Sequence, residues 1–401
     1  MKEFNAVKLT DRVYWVGAID WSIREFHGYA TQRGSSYNAY LILAEKATLI
    51  DTVKAPFKSE LMARIASVIN PSRIKYIVSN HSEMDHSGCL PALIREIKPD
   101  KVFASAMGAK ALADHFRLEG VESVLDGETL SLGNMNLTFM ETRMLHWPDS
   151  MVSYLNEEEI LFSQDGFGMH LASGERFDDE VPEWIWEYEA AKYYANILLP
   201  YSNLIIALLE KLNKIGLKIK MMAPDHGPVW RAHIGRILGL YNLWAKQQPS
   251  KKAVIAYDTM WQSTALMARA ICEGLIEAGI TVRLMPMAGS HRSDVVTELL
   301  DAGALLVGSP TLNNNIFPTM ADLLTYIKGL RPKNLLGAAF GSYGWSGEAV
   351  KLLSQMLRDM KVNIVHDGIE AKYVPTPEVL SKCRELGLLV AKKIGEVCCN
   401  D

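Results

Sequence analysis

"NHSEMDHSG", residues 80–88, sets two imidazoles and two carboxylates within six positions: His81, Glu83, Asp85 and His86. It follows "IKYIVSN", a short apolar run of strand type, so the cluster sits where a buried strand gives way to a loop. Residues two apart in extended chain point the same way, which puts His81 and Glu83 on one side. A turn after Glu83 brings Asp85 and His86 round to a neighbouring position. One loop of the form H-x-E-x-D-H therefore offers ligands to two adjacent metal ions.

Working outward, three more ligand-type residues stand at the ends of strand-like segments: His146 in "LHWPDS", Asp165 in "FSQDGFG" and His226 in "APDHGPVW". Each is flanked by Pro or Gly, as expected where backbone bends sharply around a site. A lone histidine is most often a satisfied core or surface group. Seven such residues gathered at strand ends read as a metal centre. His115, His170, His233, His291 and His366 lack these settings and read as ordinary. His27, in "REFHGY", precedes a glycine loop and is placed to line a pocket.

The rest of the first half reads as strands and loops followed by helices. "NAYLILAEKATLIDTV" holds two apolar runs around a charged turn, "VFASAMGAKALADHF" is a strand entering a helix, and "LTFMETRML" and "EILFSQD" are further strands. Near Gln247 the texture changes: "AKQQPSKKAVIAYDT" passes from polar residues and a Pro into a Val/Ile strand. From there "AVIAY", "TVRLMPM", "ALLVGSP" and "LLGAAFGS" alternate with helical segments, the pattern of a doubly wound parallel sheet.

The bulk numbers agree with a globular chain. Its 401 residues favour two or three domains, with 49% hydrophobic and 22% charged residues. A formal net charge of -4 argues against wholesale nucleic-acid binding or a polybasic membrane anchor. The start "MKEFNAVKLTDRVYWVG" lacks the basic and apolar regions of a secretory signal. No uninterrupted apolar run approaches the roughly 18 residues of a membrane span. A cytoplasmic protein is expected. Cys89, Cys272, Cys383, Cys398 and Cys399 are scattered, with no C-x-x-C pair, which argues against a disulfide framework or an iron–sulfur site.

The second half offers a ligand site of its own. "YDTMWQSTALMA" follows a strand and opens a helix, where hydroxyls and N–H groups cradle a phosphate and the helix dipole favours its charge. It has neither G-K-[ST] nor G-x-G-x-x-G, so neither a Walker loop nor a dinucleotide fingerprint is present. Two later strand ends, "GSPTLNNN" and "FGSYGWSGEA", supply small residues, amides and aromatics. Tyr343 and Trp345 are placed to flank a flat ring, and Pro310, Thr311, Asn313 and Asn314 to meet its polar edge. Three loops at the carboxyl ends of a parallel sheet resemble the flavodoxin pattern that binds FMN. The candidate set is Thr259, Met260, Trp261, Gln262, Ser263 and Thr264 in the first loop. Pro310, Thr311, Leu312, Asn313 and Asn314 form the second, and Ser342, Tyr343, Gly344, Trp345 and Ser346 the third.

The seven metal-type residues resemble the metallo-β-lactamase-like fold, an αββα sandwich with a two-metal site. Its hydrolases usually carry H-x-H-x-D-H, and here Glu83 replaces the second His. A hard anionic oxygen in place of an imidazole favours iron over zinc, and paired irons carry electrons as zinc cannot.

An α/β chain with this metal domain over residues 1–249 and a flavodoxin-like domain over 250–401 resembles the flavodiiron proteins, or A-type flavoproteins. The resemblance spans the whole chain, includes "RGSSYNAYL", "LHWPDSM", "KYYANIL" and "RPKN", and is nearest to the rubredoxin:oxygen oxidoreductase members. It implies reduction of dioxygen to water or of nitric oxide to nitrous oxide. It implies one iron on His81, Glu83 and His146, a second on Asp85, His86 and His226, and Asp165 between them. Some members leave the residue matching His86 turned away, with water in its place. His27 and Tyr194 would line the gas-binding side as hydrogen-bond donors. The resemblance also implies a head-to-tail homodimer, or a dimer of dimers, and a separate donor such as rubredoxin. Three other readings remain: a deazaflavin-dependent oxidase of the same family, a zinc hydrolase of the glyoxalase type, and a flavodoxin-like carrier with an inert first half.

Overall fold

The computed structural model describes residues 4–398, so Cys399 lies outside the described part. The chain divides into two units. The first comprises residues up to 27, 31–193 and 203–242, and the second 28–30, 194–202 and 243 onward. The boundary expected at 249/250 coincides with the start of strand Ser250–Tyr257, while Leu243–Pro249 and two short pieces of the first half cluster with the second unit.

In the first unit two sheets face each other. One has seven strands, among them the neighbours Tyr40–Ile42, Thr48–Ile50, Tyr76–Ser79 and Lys101–Ser105; the other runs from Thr129–Ser131 to Met221–Pro224 in five strands. Alternation along the strands decides what each face buries. Tyr40, Ile42, Ile50 and Val78 point inward and meet Phe139, Leu155, Ile160 and Phe162 of the facing sheet. Leu41, Leu49 and Ile77 point outward and pack against Leu61, Ile65, Leu93 and Leu112 of the helices Lys58–Val68, Leu90–Ile97 and Ala106–Phe116. The far side carries paired aromatics, Trp186 against Trp230 at 5.1 Å and Phe167 against Tyr241 at 4.5 Å. The result is the αββα sandwich expected. Its ligand loops all leave strand ends on one edge.

One helical run among the described residues, Glu183–Ile215, is long and apolar enough by composition to cross a bilayer, although charged residues interrupt its apolar sequence. It is not one smooth helix: π-helical and 3-10 turns occupy Tyr194–Leu198 and Leu199–Tyr201. Its buried Glu189 and Lys192 engage Arg33 and Gln32, the contacts of a core helix.

The second unit is a five-stranded sheet in spatial order Thr281–Pro286, Ser250–Tyr257, Ala302–Pro310, Leu336–Tyr343, Asn363–Lys372, with every neighbouring pair parallel. Helices Ser263–Glu277 and Pro377–Cys398 cover one face through Ile271, Leu275, Leu386 and Val390. They cross where Gly274 meets Gly387: a Cβ on Gly274 would lie 2.1 Å from Arg384 O, and one on Gly387 2.3 Å from Ile271 O. This is the flavodoxin-like doubly wound sheet. Its first, third and fourth strands in chain order end in the three loops singled out in the sequence.

Candidate metal centre and flavin cleft

His81 and Glu83 leave the strand Tyr76–Ser79 in extended chain, and the short helix Met84–Ser87 then swings Asp85 and His86 to the other side. The turn is pinned by Ser87 Oγ, which donates to Ser82 O and Glu83 O at 2.7 and 2.8 Å. Asp165 and His226 follow the strands Ile160–Gln164 and Met221–Pro224. His146 stands in the loop after Asn136–Glu141 and follows a cis Leu145–His146 peptide bond. Gln164 ties that loop to Asp165: its Nε2 donates to Leu145 O at 2.6 Å, and its Oε1 accepts from Asp165 N at 2.7 Å.

All seven side chains converge into two sets, His81, Glu83, His146 and Asp165 in one and Asp85, His86 and His226 in the other. In the first, His81 Nε2 lies 3.3 Å from Glu83 Oε2 and 3.4 Å from Asp165 Oδ2, and His146 Nε2 lies 3.4 and 3.0 Å from the same oxygens. In the second, His86 Nε2 lies 3.4 Å from Asp85 Oδ2 and 3.2 Å from Asp165 Oδ1, and His226 Nε2 lies 3.3 and 3.4 Å from them. Ligand bonds of about 2.1 Å meeting at roughly 90–110° separate donor atoms by about 3.0–3.4 Å. The edges fit two coordination shells that share Asp165, one oxygen to each.

The electrostatics make the same demand. Burial works against the charge on Asp165, yet His86 and His146 hold its carboxyl well below the usual range. Burial likewise opposes a proton on His86, but Asp85, Asp165 and Asp225 raise it to about 10. Asp85 Oδ1 and Oδ2, Asp165 Oδ1 and both ring nitrogens of His86 are buried without a hydrogen-bond partner among the described residues. A dense set of buried carboxylates and imidazoles with orphaned lone pairs is satisfied by cations. The donor set fits two metal ions, and its oxygen content suits iron.

Several supporting residues were missed in the sequence. Asp149 Oδ2 accepts from Ser82 N at 2.6 Å and lies 3.1 Å from His81 Nδ1, fixing that ring. His226 Nδ1 donates to Ser36 O at 2.6 Å. His86 Nδ1 faces Asp225 Oδ2 at 3.6 Å. Outward hydrogen bonds like those of His81 and His226 orient a ligating imidazole, while His86 and Asp225 make a longer charge contact. Asp149 and Asp225 stand within three residues of ligands the sequence did reveal, which was the available signal.

His27 is brought to the cluster: its Nε2 lies 3.7 Å from Glu83 Oε1, the oxygen that faces away from His81. The tyrosine is different. Tyr194 places its hydroxyl 3.1 Å from Ser202 Oγ and its ring against Trp244 at 5.5 Å. The tyrosine beside the ligands is Tyr193, whose ring lies 6.0 Å from His226 and 5.2 Å from His170. Burial, with Asp165 and Glu83 nearby, pushes its hydroxyl well above the ordinary range. His170, read as ordinary, is also here, 4.6 Å from the His226 ring and with Nδ1 2.8 Å from Ser35 Oγ.

In the second unit a cavity of about 510 Å³ opens between the three loops. It is lined by Met260, Trp261, Ser263, Pro310, Thr311, Leu312, Asn313, Asn314, Ser342, Tyr343, Gly344, Trp345 and Ser346, as expected, and by Tyr373, which was not. Thr259, Gln262 and Thr264 do not line it. Thr264 is fully buried, with Oγ1 2.9 Å from Ser342 Oγ, so it braces a lining residue. Gln262 takes a left-handed turn (φ 68°) as the N-cap of helix Ser263–Glu277. Thr259 N donates to Asp258 Oδ1 at 2.7 Å, while Thr259 Oγ1 is buried without a hydrogen-bond partner among the described residues. A helix N-terminus beside an orphaned hydroxyl, under a cleft with aromatic walls, fits a flavin monophosphate.

Both units have counterparts among known proteins. Residues 36–227 match the ODP family beta lactamase and residues 255–387 the flavodoxin family. The chain is 47% identical to a nitric oxide reductase of Moorella thermoacetica over 97% of this chain and 99% of that protein. A solved structure of rubredoxin oxygen:oxidoreductase from Desulfovibrio gigas superposes with a TM-score of 0.96 at 45% identity, covering 98% of this chain and 99% of the other. The flavodiiron protein from Giardia intestinalis gives 0.97 at 35% identity, covering 100% and 99%. This chain is therefore an oxidoreductase that belongs to the flavodiiron protein family.

Proposed function

We propose that the chain reduces dioxygen to water, nitric oxide to nitrous oxide, or both, at two irons held by the seven ligands of the first unit, with electrons passed through FMN in the second. The observation that carries this reading is Asp165, whose two oxygens face the two ligand sets at 3.0–3.4 Å, with Glu83 standing where a hydrolase has an imidazole. When bound, the irons and the flavin supply electrons and an open coordination position for a gas. The chain supplies the rest. His81 is oriented by Asp149 and His226 by Ser36. His27 stands over the outer oxygen of Glu83, and Tyr193 adds a hydroxyl held in its protonated form.

The donor in this proposal is a separate small redox protein such as rubredoxin, and the active species is a head-to-tail dimer. Support comes from the flavin cleft, whose rim leaves Trp261 and Trp345 89% and 88% exposed beside Met260, Tyr373 and Val374, an apolar patch suited to a partner. The free thiols Cys89, Cys272 and Cys383 suit a cytoplasmic setting.

The test is anaerobic stopped-flow reoxidation of the fully reduced chain by each gas in turn. Reoxidation of flavin and iron together, without release of hydrogen peroxide from dioxygen, is expected for at least one gas. Slow reoxidation of the flavin alone, with peroxide as product and no reaction with nitric oxide, would refute the proposal. Supplying reduced rubredoxin or reduced deazaflavin in the same apparatus identifies the donor.

A further inference from the structure

The loop that carries His226 is gripped by more bonds than a metal ligand needs. Ser36 lies in the strand Ser35–Tyr37 and Asn38 directly follows it, and both reach the 224–227 loop. Ser36 takes His226 Nδ1 on its carbonyl, and its hydroxyl accepts from Gly227 N at 2.8 Å. Asn38 does more. Its backbone N–H donates to Asp225 O at 2.7 Å, and its Nδ2 donates both to Pro224 O at 2.7 Å and to Gly227 O at 2.9 Å. Its Oδ1 accepts from Trp15 Nε1 at 2.8 Å. Asn38 is fully buried, so each of these bonds is costly to lose.

Trp15 is itself clamped. The guanidiniums of Arg64 and Arg176 lie 4.7 and 4.2 Å from its ring centre. Gly17 lets this segment lie directly on Asn38: a Cβ there would come 2.3 Å from Tyr37 O and 2.8 Å from Asn38 Cα. An asparagine that only filled the core would have no reason to bond the backbone on both sides of one residue. Here the bonds bracket His226, while His81 and His146 of the other ligand set rest on Asp149, Glu83 and Asp165.

We propose that Asn38, held by the Trp15 indole, is the positioning residue that fixes the 224–227 loop so that His226 Nε2 points at the second metal position alone. The inference rests on the two-ion reading above. Its test is an anaerobic Fe(II) titration of the metal-free chain, read by bound iron, by melting temperature, and by the electron paramagnetic resonance of samples then oxidised by one electron, in which a coupled pair and a single ferric ion give different signals. The unaltered chain should take up two irons that couple. In Asn38→Ala the first iron should bind as before, the second about 10- to 100-fold more weakly, leaving single-ion signals at intermediate iron. Asn38→Asp keeps the acceptor for Trp15 but sets an oxygen against two carbonyls, so it should do no better. Trp15→Phe keeps an aromatic ring beside the two arginines but removes the N–H together with part of the indole, so it should lower the melting temperature and weaken the same ion to a smaller degree than Asn38→Ala.

If the unaltered chain takes up no iron pair, the two-ion reading itself fails. If it does, and folded Asn38→Ala binds both irons unchanged or loses both in parallel, Asn38 has no selective role and the proposal is overturned. Should Asn38→Ala not fold, Trp15→Phe decides by the same criterion.

Discussion

Two adjacent hydroxyls in the flavin loop should fail in different ways. Ser263 lines the cleft, whereas Thr264 is fully buried and bonds Ser342 Oγ at 2.9 Å. On the proposed flavin reading, Ser263→Ala removes a hydroxyl bond to the charged phosphate, worth about 1.5–3 kcal/mol. At about 1.4 kcal/mol per factor of ten, flavin affinity falls roughly 10- to 100-fold. Flavin-free Ser263→Ala should melt as the unaltered chain does, because no bond within the protein is lost. Thr264→Val keeps shape and burial but deletes a neutral bond of about 1 kcal/mol and leaves Ser342 underbonded. The flavin-free second unit should then melt about 2–4 °C lower, and flavin affinity should fall only about fivefold. The assays are fluorescence titration with FMN and calorimetry of the flavin-free chains. A Thr264→Val chain with unchanged melting and a greater flavin loss than Ser263→Ala would refute the assignment of Thr264 to bracing and return it to direct contact.

Glu83→His restores a hydrolase-like ligand set, so metal preference should move toward zinc and gas reduction should cease while FMN stays bound; oxygen consumption at the original rate would show that Glu83 is not a ligand. Tyr193→Phe should slow the gas reaction with iron content unchanged, whereas Tyr194→Phe should cost about 1 kcal/mol of stability through its bond to Ser202 and spare the reaction. The reverse pattern would restore Tyr194 to the site. Mixing a flavin-free chain (Ser263→Ala with Thr264→Ala) with an iron-free one (His81→Ala with Asp165→Ala) should recover part of the rate in mixed dimers. Mixed dimers that form and stay inactive would place electron transfer within one chain.

The seven candidate ligands were legible because each stands in a segment that follows a strand, close to Pro, Gly or another of the seven, so local spacing carried the information. The flavin loops were legible for the same reason, since parallel strands end in turns that sequence marks clearly. The two tyrosines were not. "EAAKYYANILL" buries its polar residues Glu189, Lys192 and Asn196 along with its apolar ones and contains a π-helical turn directly after Tyr193, so no periodicity says which ring faces the ligands. Thr264 does not line the cleft, because one step along a helix turns a side chain through about 100° from the cleft toward the core. Asn38 and Trp15 were invisible as a pair, because a bond joining residues 23 apart is made by the packing of two strands and leaves no local trace. His170 has no Pro or second ligand beside it; what makes it part of the site is its contact with His226, 56 positions away by number (226 − 170).

The proposed chemistry rests on an iron pair sharing Asp165, fed by one flavin. It is tested most directly by elemental and flavin analysis of the chain produced with iron and zinc both available, joined to Mössbauer spectroscopy of the same sample. About two irons and one FMN per chain are expected, with the irons magnetically coupled and that coupling lost in Asp165→Ala. Stoichiometric zinc without iron, or two irons that behave as isolated ions, would contradict it.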